Sequence, residues 1–188
     1  MPPSTISPDS GPRRRVLLRL HTAAGLLPLL LLLLALSFGA AGDAAAAQRV
    51  LRGTVSHVTD GDSIWVRPAR GGAARPVRLL GIDAPELCQR GGAAAREALA
   101  RGVLGRPVLL HTRGRDAYQR VLAQVGTEGQ PDVGAWLVAH GHAWAAARGP
   151  ASRYAAQERQ ARAARRGVWA RPGAIEPRAF RARYGSCR

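Results

Sequence analysis

The sequence predicts a mixed α+β fold that is mainly β, in which a small barrel of strands is flanked by helices. Short segments of alternating apolar and polar residues, bounded by turn residues, indicate strands within residues 48–170. Helical periodicity lies between the third and fourth of these segments and again after the fifth. No internal repeat appears. The part of the chain from residue 48 onward has about 140 residues, which is the size of one ordinary domain. We therefore expect one barrel-and-helix domain.

Five strands are predicted from the alternating segments. Asp60-Gly61 separates the first two strands, and Arg70-Gly71-Gly72 marks the turn before the third. Side chains from different strands can meet where the strands end. The acidic residues at these ends are Asp60, Asp62, Asp83 and Glu86. The predicted strands span residues 50–58, 63–66, 76–82, 107–111 and 121–125.

About three helices are expected to pack on the strands. Residues 92–103 place Ala95, Leu99 and Val103 on one apolar side. Asp132 is a suitable N-cap for a second helix, which ends at Gly141. A third helix is predicted from residue 152 to residue 166, before Gly167.

The amino-terminal residues 1–47 have the pattern of a secretory signal peptide. Arginines at positions 13–15 precede a leucine-rich run over residues 26–38, and four alanines at 44–47 offer a cleavage point before Gln48. The sequence thus predicts export, to the periplasm or the extracellular space. An uncleaved membrane anchor is the alternative, since the apolar stretch over 22–42 approaches the roughly 20 residues that span a bilayer.

The composition is strongly basic and predicts an anionic partner. The chain has 28 basic and 12 acidic residues, for a net charge of +16, and every basic residue is arginine. A positive field of this kind attracts polyanions, and arginine binds phosphate through a planar fork of donors. Phosphodiester backbones, in DNA or RNA, are the partners that this charge favours. A basic soluble domain with no dedicated ligand is the plainer alternative.

Two cysteines, Cys88 and Cys187, are predicted to form a disulfide after export to an oxidising compartment. The bridge would tie the carboxy-terminal tail to the segment that carries Asp83 and Glu86. Two free thiols are the alternative. A cysteine-ligated metal site is disfavoured, because no His or Cys partners stand at ligand spacing beside them.

Two acidic segments, Asp60-Gly61-Asp62 and residues 83–86, indicate a site for a hard divalent cation. Such cations prefer oxygen ligands, and repulsion among clustered carboxylates needs a compensating charge. Asp60-Gly61 by itself is also a common hairpin turn without a metal role. Arg78 and Asp83, five residues apart, would lie on opposite faces of a regular strand unless a bend at Gly81 intervenes.

The ordered motifs resemble the thermonuclease, or staphylococcal-nuclease-like, family over nearly all of residues 48–170. The motifs are residues 60–63, residues 78–86, residues 116–120, and Tyr154 with residues 158–169. The resemblance implies a five-stranded barrel of the oligonucleotide-binding type with helices packed on it. The chain then divides into a signal peptide or anchor (1–47), a nuclease domain (48–170) and a basic tail (171–188).

The resemblance also implies roles for individual residues. Glu86 matches a general base that activates water, and Arg78 and Arg120 match a pair that holds the scissile phosphate. The carboxylates of Asp62 and Asp83, with the backbone carbonyl of Ala84, match the ligands of Ca²⁺. Asp60 is implied as an acid behind these ligands, and Tyr118 as a phosphate contact. Where the family commonly has glycine before the second arginine, this chain has Gln119.

The implied reaction is calcium-dependent hydrolysis of DNA and RNA with little sequence specificity, in which the 5′-oxygen leaves and 3′-phosphate ends remain. The expected protein is a monomer with no protein partner evident, and the tail arginines, Arg181 and Arg183 among them, are expected to add general phosphate contacts. The alternative keeps the fold but not the catalysis, leaving a basic nucleic-acid-binding module. The full set of acids and arginines favours the enzyme.

Overall fold

The structure, a computed structural model, describes residues 49–146 and 152–187. Seven strands, four α-helices and one 3₁₀ turn (Gly167–Ala170) form within these residues. The strands are β1 (Arg49–Val58), β2 (Ser63–Pro68), β3 (Arg75–Leu79), β4 (Ile82–Asp83), β5 (Pro107–Arg115), β6 (Val121–Gly126) and β7 (Trp144–Ala145). The helices are α1 (Gly92–Val103), α2 (Val133–Ala139), α3 (Ala155–Ala163) and α4 (Pro177–Tyr184).

Five strands close a barrel in the order β1-β2-β3-β6-β5, with β5 returning to β1. Neighbouring strands are antiparallel except β3 and β6, which run parallel and pair Val77 with Val121. The predicted fold class, a mainly β mixed fold with an oligonucleotide-binding-type barrel, is confirmed. Closure leaves no unpaired barrel edge that would template aggregation.

The core lies inside the barrel and under α1. Alternate residues of the strands point inward, as their period of two requires, and α1 adds one apolar face. Val55, Ile64, Val77 and Leu99 are each no more than 1% exposed. At about 25 cal/mol per Å², burying each such side chain stabilises the fold by roughly 1.5–3 kcal/mol.

Helix α2 begins where the sequence predicts it. The carboxylate of Asp132 accepts a hydrogen bond from the backbone N–H of Ala135 at 2.9 Å, as an N-cap does. The same carboxylate accepts the hydroxyl of the buried Tyr154, 3.0 Å away, which joins α2 to the start of α3. Burial, with the nearby Asp132 charge, raises the pKa of Tyr154 to about 12.

The structure differs from the predicted elements at several ends. The predicted third strand divides at Leu80-Gly81, because Gly81 adopts a positive φ of 79°. The remainder, β4, leaves the barrel and pairs with β7. The predicted third helix is shorter, α3 covering only Ala155–Ala163, and a fourth helix, α4, forms within the segment expected to be a basic tail.

The amino-terminal prediction lies outside the described residues, which begin at Arg49. Nothing in the structure therefore bears on the signal peptide or on the alternative anchor. Among the residues that the structure does describe, no helix has the length and apolar character needed to cross a bilayer.

Candidate active site

The first acidic segment folds as a tight turn between β1 and β2. Asp60 Oδ1 accepts a hydrogen bond from the backbone N–H of Asp62 at 3.0 Å, and the N–H of Thr59 closes the turn on the carbonyl of Ser63. Gly61 is required by packing, since a Cβ there would lie 2.7 Å from the Cβ atoms of Ala84 and Ala95. The turn brings Asp62 against the second acidic segment.

Arg78 lies beside Asp62 because the β2–β3 ladder pairs Ser63 with Arg78. Its Nη1 is 2.5 Å from Asp62 Oδ2, in an ion pair without hydrogen-bond geometry. Its Nη2 donates to Asp83 Oδ1 at 3.3 Å. One guanidinium therefore bridges two carboxylates that the sequence separates by 21 positions.

Asp62 is a buried acid, with 6% of its surface exposed. Its Oδ2 accepts the backbone N–H of Ala84 at 2.8 Å, and its Oδ1 accepts the hydroxyl of Ser63 at 3.1 Å. Burial raises the pKa of Asp62 to about 7, while Arg78 opposes that rise and the neighbouring Asp60 adds to it. A carboxylate in this position is strongly stabilised by nearby positive charge.

The segment from Asp83 to Glu86 carries the other two acids. Asp83 sits in β4, opposite Trp144 of β7, and is 8% exposed. Ala84 contacts Asp62 through its amide, which fixes the spacing between the two acidic segments. The backbone N–H of Glu86 donates to Gln89 Oε1 at 3.2 Å, which starts the turn leading into α1.

Arg120 is held by a four-residue turn before β6. Asp116 Oδ1 accepts the backbone N–H groups of Tyr118 and Arg120 at 3.0 and 2.9 Å, and its Oδ2 accepts Arg120 Nε at 2.7 Å. Desolvation opposes ionisation of Asp116, but the hydrogen bonds from Arg120 prevail and lower its pKa. Arg120 Nη1 also donates to Ser63 at 3.2 Å, so the guanidinium points at the first acidic turn.

Tyr118 and Gln119 occupy that turn in different ways. Tyr118 is 81% exposed, with its ring 5.5 Å from the Arg120 guanidinium carbon. Gln119 has a φ of 63°, in the left-handed region that favours glycine. The family's common glycine at this position therefore has a conformational reason, and glutamine keeps the same turn at an energetic cost.

Arg181, from α4, completes the site. Its Nη1 donates to Asp83 Oδ1 at 3.2 Å and to Glu86 Oε1 at 2.9 Å, and its Nη2 donates to Asp83 Oδ2 at 2.9 Å. Hydrogen bonding with Asp83 raises the pKa of Arg181. The sequence led us to expect general phosphate contacts from Arg181, and the structure places its guanidinium among the site carboxylates.

A single cleft collects the predicted site residues. Asp60, Asp62, Arg78, Asp83, Ala84, Glu86, Tyr118 and Arg120 line it, together with Arg181, Ser186 and Cys187 of the carboxy-terminal segment. Trp144 and Tyr154 do not face this cleft, since Trp144 is 5% exposed and Tyr154 is 2% exposed. Both belong to the interior.

Two residues contribute to the site in ways that the sequence did not predict, Asp116 and Arg181. Asp116 was visible only as part of a motif, although an aspartate in a turn commonly accepts backbone N–H groups of the residues that follow it. Arg181 had no local signal, because it reaches the cleft only through a helix that folds back near Cys88.

The donor chemistry of the cleft fits a hard divalent cation. The carboxylates of Asp62 and Asp83 offer oxygen ligands only. Burial disfavours the ionised form of Asp62, and a bound cation would offset that penalty. Within residues 49–146 and 152–187, no group of three or more His, Cys, Asp and Glu side chains has the arrangement of a metal cage. A cation here would therefore draw further oxygens from backbone, water or substrate.

The closed five-stranded barrel and the cleft of acids and arginines beside it define a protein of the staphylococcal nuclease class. The family model described as staphylococcal nuclease homologue matches residues 76–171 of this chain. The chain belongs to that family, and the resemblance predicted from its motifs is confirmed.

Known proteins similar to this chain include several bacterial members. Protein ParB of Escherichia coli is 38% identical over 149 residues, covering 71% of this chain and 81% of ParB. An uncharacterized endonuclease of Haemophilus influenzae is 34% identical over 130 residues, covering 68% and 71%. A micrococcal nuclease of Shigella flexneri is 34% identical over 137 residues, covering 67% and 78%.

Proposed function

We propose that this protein is an exported, calcium-dependent nuclease that hydrolyses DNA and RNA with little sequence specificity and leaves 3′-phosphate ends. Its place of action is the periplasm or the extracellular space, and it works as a monomer. Membership of a nuclease family supports hydrolysis of phosphodiester bonds. The net charge of +16 supports a polyanionic substrate.

One observation carries the proposal: the arginines and the carboxylates that the motifs assign to the reaction converge on one cleft. Arg78 contacts Asp62 and Asp83 directly, and Arg120 reaches the same turn through Ser63. Glu86 lines the cleft with them. A purely binding surface has no use for buried acids, which repel a phosphate backbone.

The residues divide the chemistry among them. Glu86 accepts a proton from the attacking water, a role that suits a carboxylate beside the substrate phosphate. The guanidinium groups of Arg78 and Arg120 bind phosphate oxygens, whose negative charge grows toward the transition state. Tyr118, which is exposed beside Arg120, contacts a neighbouring phosphate.

The cation would be held by the carboxylates of Asp62 and Asp83 and the carbonyl of Ala84, with Asp60 behind them. When bound, it supplies further positive charge at the phosphate oxygens. Asp60 contributes indirectly, since its side chain fixes the backbone of Asp62 through a 3.0 Å hydrogen bond.

The second candidate is a nucleic-acid-binding module without turnover. The contacts of Arg181 favour it, because its guanidinium takes up Oε1 of Glu86, an oxygen that a general base would offer to the attacking water. The two candidates differ in one property, cleavage, whereas both predict salt-dependent binding of polyanions.

Purified protein incubated with plasmid, single-stranded DNA and RNA, first with calcium and then with chelator, separates the two. The nuclease proposal expects degradation of all three substrates with calcium and none with chelator. Asp83→Asn, which keeps the shape but removes a charged oxygen ligand, is the matched variant and should need far more calcium. Binding without cleavage in every metal tested would leave only the binding module.

The chemistry of the ends provides a separate check. DNA fragments with 3′-phosphate ends do not prime a polymerase until a phosphatase removes the phosphate. Extension that requires phosphatase treatment supports the proposed products. Extension without it would show 3′-hydroxyl ends and contradict them.

A further inference from the structure

The guanidinium of Arg181 contacts a proposed cation ligand, Asp83, and the proposed general base, Glu86, at the same time. It covers the two oxygens of Asp83, at 3.2 and 2.9 Å, and takes Oε1 of Glu86 at 2.9 Å. Asp83 is a proposed cation ligand and Glu86 is the proposed base. We call this set of three contacts the C-terminal latch.

The latch is part of a broader docking of the carboxy-terminal segment. A disulfide joins Cys88, two residues after Glu86, to Cys187, three residues after the end of α4. Directly after Cys88, Gln89 Nε2 donates to the carbonyl of Ile175 at 2.6 Å, and the Arg90 side chain donates to the carbonyl of Pro172 at 3.1 Å. The segment before α4 and the segment after it are therefore both fastened to the loop that carries Glu86.

The latch is more than an exposed ion pair. The side chain of Arg181 is 34% exposed, and those of its partners Asp83 and Glu86 are 12% and 21% exposed. Three charge-assisted hydrogen bonds in a partly desolvated cleft are far stronger than the usual surface pair. By contrast Arg183, two positions along the same helix, lies against the ring of Tyr184 at 5.2 Å.

We propose that Arg181 is a built-in competitor of the divalent cation, held over the site by the disulfide. A cation on Asp83 and the guanidinium of Arg181 carry like charge and compete for the same two carboxylate oxygens, so cation binding favours displacement of Arg181 and release of Glu86. The same displacement of Arg181 therefore opens the cation site at Asp83 and frees Glu86 to act as the base. The nuclease then has low activity where divalent cations are scarce. This inference rests on the proposed function, because it takes calcium as the cation.

The disulfide makes the competition responsive to thiols. The bridge holds the carboxy-terminal end of the α4 segment near Glu86, which keeps Arg181 at a high effective concentration beside Asp83. Reducing the bridge, or removing both cysteines, lowers that concentration without changing any side chain of the latch. Cation affinity should then rise.

Calorimetric titration of Ca²⁺ into chelator-treated protein tests the latch by binding and not by cleavage. Arg181→Gln should bind calcium about ten-fold more tightly than wild type. Arg183→Gln removes an equal charge from the same helix and should stay within about two-fold of wild type, which controls for the general field. Thermal melts establish that each variant is folded.

A second comparison uses the tether. The double variant Cys88→Ser with Cys187→Ser should also bind calcium more tightly than wild type. Adding Arg181→Gln to it should give much less further tightening than Arg181→Gln gives alone, because both changes release the same latch.

The competing outcomes are distinct. Equal calcium affinity in Arg181→Gln and Arg183→Gln, or weaker affinity in Arg181→Gln, overturns the latch and leaves the nuclease proposal standing. Absence of calcium binding in both wild type and Arg181→Gln overturns it as well. Calcium binding that follows the expected pattern in a protein that cleaves nothing supports the latch and overturns the proposed nuclease activity.

Discussion

Arg78 and Asp83 contact each other at 3.3 Å although they stand five positions apart on what begins as one strand. The contact is possible because Gly81, with a φ of 79°, turns the chain between them and sends β4 out of the barrel. Space also favours glycine there, since a Cβ would lie 2.9 Å from the ring of Tyr154. The contact between Arg78 and Asp83 thus depends on a bend at Gly81, which glycine adopts without steric strain.

Arg78 and Arg120 are proposed to hold the scissile phosphate. Replacing either of them by lysine should lower turnover although the charge is preserved. Arg78→Lys and Arg120→Lys lose the planar fork that holds two phosphate oxygens, so we expect kcat to fall by about 10²-fold. Steady-state cleavage of a defined oligonucleotide measures it. Arg159→Lys, on the exposed face of α3, is the control and should keep wild-type turnover. Full activity in both Arg78→Lys and Arg120→Lys would remove these arginines from the reaction.

Asp116 should act as a positioning residue for Arg120. Asp116→Asn keeps the turn, because the amide oxygen can still accept the two backbone N–H groups, but it loses the charged bond to Arg120 Nε. We expect kcat to fall by about ten-fold, with KM changed less, in line with one charge-assisted hydrogen bond. Glu97→Gln removes the carboxylate of an exposed pair with Arg101 and should do nothing measurable. A purely structural role would instead lower stability without changing kcat in folded protein.

Gln119→Gly should stabilise the protein. Glycine adopts the left-handed conformation of this turn without steric cost, so we expect a gain of roughly 0.5–1 kcal/mol in the free energy of unfolding. Gln160→Gly, in the exposed face of α3, should have the opposite sign and lose about 1 kcal/mol. Chemical denaturation with the disulfide intact measures both. A loss at position 119 would mean that the glutamine side chain makes contacts outweighing the strain.

Mildly acidic solution should destabilise the protein through His142. Burial lowers the pKa of His142, and the nearby His140 and Arg101 lower it further. The unfolded chain, with a histidine pKa of about 6.5, then binds a proton more readily than the folded one. The stabilising contribution is complete above about pH 6.5 and is lost as pH falls through the folded pKa, by at most about 1.4 kcal/mol per pH unit.

His142→Gln tests that contribution, because glutamine does not titrate. Unfolding free energies at pH 7.5 measure the packing lost against Trp136, whose ring lies 5.8 Å from that of His142. The further drop between pH 7.5 and pH 5 should be smaller in the variant than in wild type. Equal drops would exclude His142 as a source of acid sensitivity.

Much of the barrel was predictable because its determinants are local. Alternation gave β1 and β2 to within a residue or two, and the cap at Asp132 gave the start of α2. The end of β3 was misplaced because alternation continues through Leu80-Gly81 and says nothing about the positive φ that breaks the strand. Strand order was not predicted, because the parallel pairing of β3 with β6 joins residues as far apart as Val77 and Val121 and leaves no local pattern.

The site was predictable to the extent that its residues belong to short motifs. Asp62, Arg78, Asp83, Glu86 and Arg120 share one cleft, as the motifs implied. The position of Arg181 was not predictable, because it is set by a helix, a disulfide and two side-chain-to-backbone hydrogen bonds that connect residues 88–90 to residues 172–187. Contacts of that sequence separation leave no trace in local composition.

Turnover by Glu86→Gln at saturating calcium decides whether the cleft is a catalytic site. The substitution removes the proton acceptor and preserves size, so we expect kcat to fall by about 10²–10⁴-fold while substrate binding persists. Glu128→Gln, at an exposed position, is the matched control and should cleave like wild type. A Glu86→Gln protein that cleaves DNA at the wild-type rate would contradict the assignment of Glu86 and, with it, the reaction proposed for this cleft.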